Sequence, residues 1–280
     1  MGSNANGKQT VRKNEDRPAI WVGYGKLLKL FRDNSGLTQE ELAERISYSP
    51  ESVASIEQGR RPAKAPFTAA AERELAAGGA LQVLQEEVDF AKLPAFFRDF
   101  VLIEMEAVSR SSYDPQLVPG LLQTEDYARA VFDGRCPPLE ESVVEQHVEA
   151  RLNRQRLLTR HPPVNCSFVI EEAALRNPLG SPETMREQIG HLLAQGRLRN
   201  VEIQVMPLGR GFHPGLNGPM VLIENEEHQH FGYFESQGIG HVVSDRAEVS
   251  SFSLRYGKLR SMALNLREST SFIEQLAGEL

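Results

Sequence analysis

The sequence predicts two domains of different class, a mainly α N-terminal bundle and an α+β C-terminal domain with a small, largely antiparallel sheet. Three observations carry this. Up to about residue 90 the apolar residues recur at helical spacing, as in Leu27, Leu28, Leu30 and Phe31 or Leu42, Ala43 and Ile46. Beyond residue 163 short apolar runs at Val164–Ile170, Val201–Met206, Met220–Glu224 and Phe231–Glu235 read as strands. The short connections around GRGFHPGLNG and ENEEH favour antiparallel pairing there.

Residues 1–18 are polar and aperiodic, which predicts a disordered arm. Its Lys8, Arg12, Lys13 and Arg17 are candidates for phosphate contact, although a solvated tail is the simpler reading. A helix over residues 22–34 follows, ended by Ser35-Gly36. The stretch LTQEELAERISYSPESVASIEQGRR, residues 37–61, then reads as two short helices joined by a tight turn. Thr38 caps the first, with Glu41 completing a T-x-x-E box and Leu42, Ala43 and Ile46 on one buried face. Ser49 caps the second, with Pro50 at the first helical position, where a missing N–H costs nothing. Val53 and Ile56 then point inward, so Pro50, Glu51, Ser52 and Ser55 are expected to face a DNA groove. Phe67, Ala70, Ala71 and Leu75 close the bundle, which makes residues 19–77 a helix-turn-helix DNA-binding domain. Gly78-Gly79 breaks the chain, and residues 78–94, with Leu81, Leu84 and Val88 in a stripe, are expected to be a linker helix.

Residues 21–64 resemble the phage-repressor (XRE) type of helix-turn-helix. The resemblance implies that Gln39 opens the first helix and reaches a phosphate, and that Arg32 pairs with Glu57 beneath the motif. It also places Gln58, Gly59, Arg60 and Arg61 against the DNA backbone after the recognition helix. That helix departs from the pattern in carrying no Arg, Asn or Gln for a bidentate base contact. Discrimination is therefore expected to be modest or shared with Arg60, Arg61, Lys64 or the arm.

Charge is distributed in keeping with this. The whole chain carries −7, yet residues 1–64 hold 11 Lys or Arg against 8 Asp or Glu, while residues 65–280 hold 20 against 30. No run approaches the roughly 18 apolar residues of a membrane span and no signal-peptide core opens the chain, so a cytoplasmic, nucleoid-associated protein is expected. Cys136 and Cys166 stand in no metal or redox spacing, and Cys166 alternates with Val164, Phe168 and Ile170 as on a buried strand.

The α+β regulatory or interaction domain is expected over residues 95–280. A strongly apolar helix runs from Pro94 to about Ser111, and Thr124 caps a helix after the Pro119-Gly120 turn. A long helix covers residues 139–160, Ser181-Pro182-Glu183 starts another, and helices over 245–265 and 268–278 close the chain. The segments VPGLLQTEDYARAV, VEARLNRQRLL, IEEAALRNPLGSPETMREQIGHLL, NVEIQVMP, GFHPGLNGPM and YFES resemble the C-terminal domain of WhiJ-type, antitoxin-like regulators of actinobacterial development. The resemblance implies transcription regulation rather than catalysis, with a small partner protein encoded nearby received by this domain.

Nothing in the chain predicts an enzyme or a cofactor. There is no G-x-S-x-G, Walker A, H-E-x-x-H or dinucleotide fingerprint, and GRGFHPG reads as a hairpin loop. His228 and His230, expected on one strand face, lack the further spacing of a metal set with His213 or His241. Glu171-Glu172 fits a strand end or first helical turn better than an acid/base pair. Arg151, Arg154 and Arg156 with Gln155 read as a solvated helix face, or as a basic stripe for an acidic partner. The expected partners are duplex DNA, a second copy of the chain and a small protein. The alternative is a one-component sensor whose VPGLLQ and GFHPG loops line a ligand pocket.

Overall fold

The computed structural model describes residues 17–280, apart from the side chains of residues 95 and 96. Lys8, Arg12 and Lys13 of the arm lie outside the described residues. The chain divides into two compact units between Pro94 and Ala95.

Among its described residues the first unit has five α-helices: α1 (Ala19–Asn34), α2 (Gln39–Ile46), α3 (Pro50–Glu57), α4 (Ala65–Glu74) and α5 (Gln85–Phe90). Tyr24, Leu28 and Arg32, spaced at i, i+4 and i+8, are the face that α1 buries. Leu30, expected on that face, is 53% exposed because it falls on the far side of the same helix. At Gly25 α1 comes so close to α3 that a Cβ would lie 2.3 Å from the Ile56 carbonyl oxygen. Only glycine permits that approach.

Residues 78–94 are not a linker. Gly78 and Gly79 take φ of 65° and 90° and turn the chain back, and Leu81 and Val88 then enter the same core as Leu42, Val53 and Phe67. The Glu72 carboxylate fixes the turn by accepting from the backbone N–H of Gly79, Leu81 and Gln82 at 2.6, 2.9 and 3.2 Å. Trp21 Nε1 donates to the Val88 carbonyl at 3.1 Å, and Thr68 links the Tyr24 hydroxyl (2.7 Å) to Gln85 (2.5 Å).

The second unit begins with α6 (Ala95–Met105) and holds a six-stranded sheet in the order β3-β2-β1-β4-β5-β6. The strands are β1 (Ala107–Asp114), β2 (Asn165–Glu171), β3 (Val201–Met206), β4 (Met220–Asn225), β5 (His230–Ser236) and β6 (Ile239–Val243). β1, β2 and β3 run parallel, and the remaining pairs are antiparallel. The sheet is thus larger than expected and mixed. Helices α7 (Glu125–Asp133) and α8 (Glu141–Arg154) link β1 to β2, and α9 (Glu172–Arg176) and α10 (Pro182–Gln195) link β2 to β3. Parallel neighbours need such crossovers.

Two strands escaped the sequence reading. β1 lies in what was expected to be the continuation of α6 to Ser111, but the helix stops at Met105 and AVSRSSYD pairs on both sides, with β2 and β4. Ser112 and Arg110 mask it, because they are buried in polar contacts rather than exposed. β6 is five residues long and gives too short an alternation to be recognised. GRGFHPG is no hairpin loop: β2 and β1 separate β3 from β4, so residues 207–219 cross the sheet. ENEEH does join an antiparallel pair, β4 and β5.

Helix α11 (Arg246–Met262) covers one face with Val249, Phe252, Tyr256 and Leu259, packed against Tyr113, Val169, Met206, Met220 and Val243. The outer edge of β3 is closed where α11 leads to α12 (Leu266–Glu279): Val205 O accepts from Leu264 N at 2.8 Å, and Val205 N donates to Ser269 Oγ at 3.0 Å. Cys166 is buried on β2, together with residues of both strand faces, as a central strand requires.

A buried ionic network sits beneath α8. Glu104 accepts from Arg110 Nε at 2.8 Å and from Arg154, whose guanidinium lies 4.7 Å from the Phe97 ring centroid. Arg151 donates to Gln123 Oε1 at 2.7 Å and lies 4.4 Å from the Phe132 ring centroid. The expected basic face of α8 is therefore dismantled, with Arg151 and Arg154 turned inward and Arg156 alone exposed. Burial alone would raise the Glu104 carboxyl, but Arg154 and Arg110 outweigh it and hold it below the usual range. Asp114 goes the other way, because burial pushes it up to about 6 despite Arg110 and a 2.6 Å hydrogen bond from Ser112.

Since folding favours protonated Asp114, its contribution to stability is complete below pH 3.8 and is lost as pH rises towards 6. Asp114→Asn is expected to melt above the wild type at pH 7, by on the order of 1–3 kcal/mol, with the gap closing below about pH 4. Thermal melts across that range measure it.

Candidate nucleic-acid interface

The two motif helices are fixed at their starts by their own side chains. Thr38 Oγ1 accepts from Glu41 N at 3.2 Å while Glu41 Oε2 accepts from Thr38 N at 2.7 Å, the reciprocal cap read from the sequence. The backbone hydrogen bond from Thr38 holds the Glu41 carboxyl below its ordinary range. Ser47, in the turn, is left-handed with φ of 60°, and Ser49 Oγ accepts from Ser52 N at 3.2 Å to start α3. Tyr48 between them meets the Phe67 ring edge-on at 5.0 Å.

Beneath the helices, Glu57 gathers three elements. Its carboxylate accepts from Arg32 Nε at 2.6 Å and Arg32 Nη2 at 3.1 Å, a bidentate pair, and from Gln39 Nε2 at 2.6 Å. Arg32 also donates to the Leu37 carbonyl at 2.7 Å, which ties in the loop between α1 and α2. The Glu57 hydrogen bond raises the Arg32 pKa further above its already high value. Arg32 and Glu57 are both buried, so the pair is part of the core rather than a surface ornament.

The sequence-read DNA contacts divide into three groups. Ser49, Pro50, Glu51, Gln58, Arg60, Arg61 and Lys64 are exposed, and Ser52 is half-buried with its hydroxyl 2.8 Å from Ser49 Oγ. Ser55, expected to face outward, is buried, and its carbonyl accepts from Arg60 N at 2.9 Å and Arg61 N at 3.4 Å. It shapes the turn that presents those arginines. Gln39 is half-buried and bonded to Glu57, so its amide nitrogen is already engaged. The sequence left Arg17 in a disordered arm, yet its Nη1 donates to the Gln58 carbonyl at 3.3 Å, beside the end of α3. Pro18, next in the chain, is the N-cap residue of α1 and the local signal for that helix start.

A buried clamp, two capped helices, an exposed N-terminal end of α3 and cations just past its C-terminal end define a helix-turn-helix DNA-binding protein of the regulator type. Comparison with known families agrees. Residues 24–84 match the helix-turn-helix domain family. Residues 97–275 match the family described as a domain of unknown function, DUF5753, and the chain belongs to that family. Among solved structures it is similar to the clp gene regulator ClgR of Corynebacterium glutamicum, at 27% identity over 25% of this chain and 92% of that one, with a TM-score of 0.23. A second structure of that regulator gives 26% identity over 27% and 90%, with a TM-score of 0.21. No curated protein matches.

The second unit offers no grouping of three His, Cys, Asp or Glu that could hold a metal among the described residues. His228 sits in the β4–β5 turn with φ of 57° and Nδ1 2.7 Å from Glu224 Oε1, so it shares no strand face with His230. Glu171 ends β2, accepting from the Tyr113 hydroxyl at 2.6 Å, and Glu172 opens α9 paired with Arg176 at 2.7 Å. The VPGLLQ loop is packed into its surroundings. Leu121 and Leu122 are fully buried, and Gln123, Gln155 and Gln188 bond its backbone at 2.7–3.2 Å. An open cleft of about 780 Å³ lies elsewhere, lined by residues 227–231 and by Ser244, Arg246, Val249, Ser250 and Ser253. Among the described residues no helix is long and apolar enough to cross a membrane.

The clamp separates folding from recognition. Glu57→Ala is expected to destabilise the first unit by about 3 kcal/mol, because it leaves the buried Arg32 with only Asp33 and the Leu37 carbonyl as partners and releases Gln39. Glu51→Ala, on the exposed face, should leave the denaturation midpoint unchanged and alter the ranking of bound DNA sequences in a selection experiment.

Proposed function

We propose that the protein is a sequence-specific transcriptional regulator that binds its operator as a homodimer through α3, while its second unit receives a small protein partner in the manner of WhiJ-type, antitoxin-like regulators. The observation that carries the DNA half is the buried Arg32–Glu57–Gln39 clamp, which sets α2 and α3 rigidly beside a rim of half-buried Arg17 and exposed Arg60, Arg61 and Lys64. A rigid rim positions phosphate contacts, and the end of α3 reads base edges. One helix of eight residues reaches few base pairs, which favours two copies on a palindromic site.

The partner half is supported by residues 207–219. Phe212 is 86% exposed, with Leu208 and Leu216 also exposed on the same segment. The segment is anchored, since the Leu208 N–H donates to Glu172 at 3.0 Å and Gly215 packs directly on Tyr113. An anchored loop that presents an aromatic to solvent is what a protein partner would cover. The ligand-sensor alternative calls for an enclosed apolar cavity between two loops, whereas Leu121 and Leu122 of one loop are buried and the carbonyls of Val118, Gly120, Leu122 and Gln123 accept from glutamine side chains.

Two outcomes test this reading. Operator affinity of the full chain should fall with salt at a slope of about −0.9 per neutralised phosphate, and Arg60→Ala with Arg61→Ala should flatten that slope by about two such contacts. A slope unmoved by the double variant excludes this rim. Phe212→Ser should leave operator affinity alone but abolish its change on adding the partner isolated with the chain from the native host. By linkage, DNA must change partner affinity by the same factor.

A further inference from the structure

The two edges of the sheet are treated differently. At β3 the outer backbone groups of Val205 are occupied by Leu264 and Ser269. At β6 they are not. Gln237 and Gly238, with φ of 53° and 73°, form a two-residue turn that makes Ser236 and Ile239 the closing pair. Hydrogen bonding then alternates along the strand, so Ile239, His241 and Val243 bond to β5 while Gly240 and Val242 direct their N–H and C=O groups outward. Among the described residues no hydrogen bond reaches those outward groups.

An open edge is normally blunted by charge, proline or a bulge. IGHVV contains no Lys, Arg, Asp, Glu or Pro, and its pairing with β5 runs without a register shift. Ile239 is 69% exposed and Phe234 on the adjoining strand 40%. The unit as a whole carries 18 Lys or Arg against 25 Asp or Glu over residues 95–280, so most face-to-face arrangements of two copies would bring like charges together. β6 is an uncharged stretch where they can meet.

We propose that β6 is the homodimer contact: two copies pair β6 to β6 antiparallel about a two-fold axis at His241, joining their sheets into one. Gly240 of each copy then lies opposite Val242 of the other, and each such pair exchanges two N–H···O bonds. Ile239 lies opposite Val243 of the second copy. The interface is isologous, as a two-fold requires. The proposal rests on the homodimer reading above and deepens it by naming the surface.

The test uses the full chain with Cys136→Ser, which removes the exposed cysteine and leaves the buried Cys166. On the axis, the two copies of residue 241 form a non-hydrogen-bonded pair about 4.5 Å apart at Cα, within the range a disulfide spans. His241→Cys should therefore cross-link to a covalent dimer under mild oxidation without DNA, and Ser244→Cys, about 20 Å from its counterpart at 3.4 Å per residue, should not. In sedimentation, Val242→Pro and, independently, the surface change Ile239→Lys should convert dimer to monomer, with unchanged circular dichroism. A dimer that survives both variants and does not cross-link at 241 overturns the edge pairing while leaving the dimer in place. A wild type that is monomeric at every concentration overturns both. Protection of β6 from hydrogen exchange only on adding another protein would assign the edge to a foreign strand and equally overturn the proposal.

Discussion

Glu57 is the constraint on which the DNA-reading half depends. A carboxylate this buried is tolerable only when its lone pairs are filled, and three donors from Arg32 and Gln39 fill them. The consequence is geometric. Glu57 is the last residue of α3, Arg32 lies near the end of α1 and Gln39 opens α2, so satisfying one carboxylate fixes three helices relative to one another. Gly25 completes the arrangement by letting the α1 backbone touch the end of α3. Recognition residues at the other end of α3 inherit that rigidity without spending any of their own polar groups on it.

This half was largely legible in the sequence, because its signals are local. The Thr38–Glu41 box, Ser49-Pro50 and the left-handed Gly59 each act within a few residues, so reading them needs no knowledge of the fold. What failed there failed for non-local reasons. Ser55 lies on the outward side of a simple helical wheel, yet the chain returns over it at Arg60 and Arg61 and buries it. Gln39 carries the polarity of a phosphate ligand, and only the folded arrangement shows that Glu57 already engages it.

The second unit was read less well for the opposite reason. A sheet strand is recognised by apolar alternation, and β1 breaks the rule by burying Arg110, Ser112 and Tyr113 in sequence. Those side chains are admitted because each has a partner: Glu104 for Arg110, Asp114 for Ser112, Glu171 for Tyr113. A strand whose burial is purchased with hydrogen bonds looks polar in sequence and central in structure. Losing β1 from the prediction also lost the parallel half of the sheet, since β2 and β3 acquire their direction from it. The loop after β3 then read as a hairpin when it crosses two strands to reach β4.

The same accounting of partners explains how a chain of net charge −7 serves a polyanion. In the second unit five arginines are held by carboxylates: Arg110 and Arg154 by Glu104, Arg129 by Glu145, Arg176 by Glu172 and Glu279, Arg260 by Glu202. The charge of these five is cancelled where it sits. In the first unit Arg32 is cancelled in the same way, but Arg60, Arg61 and Lys64 are exposed and, among the described residues, enter no ion pair. Screening over about 8 Å at physiological salt makes this local pattern, not the net charge, what a phosphate at α3 experiences.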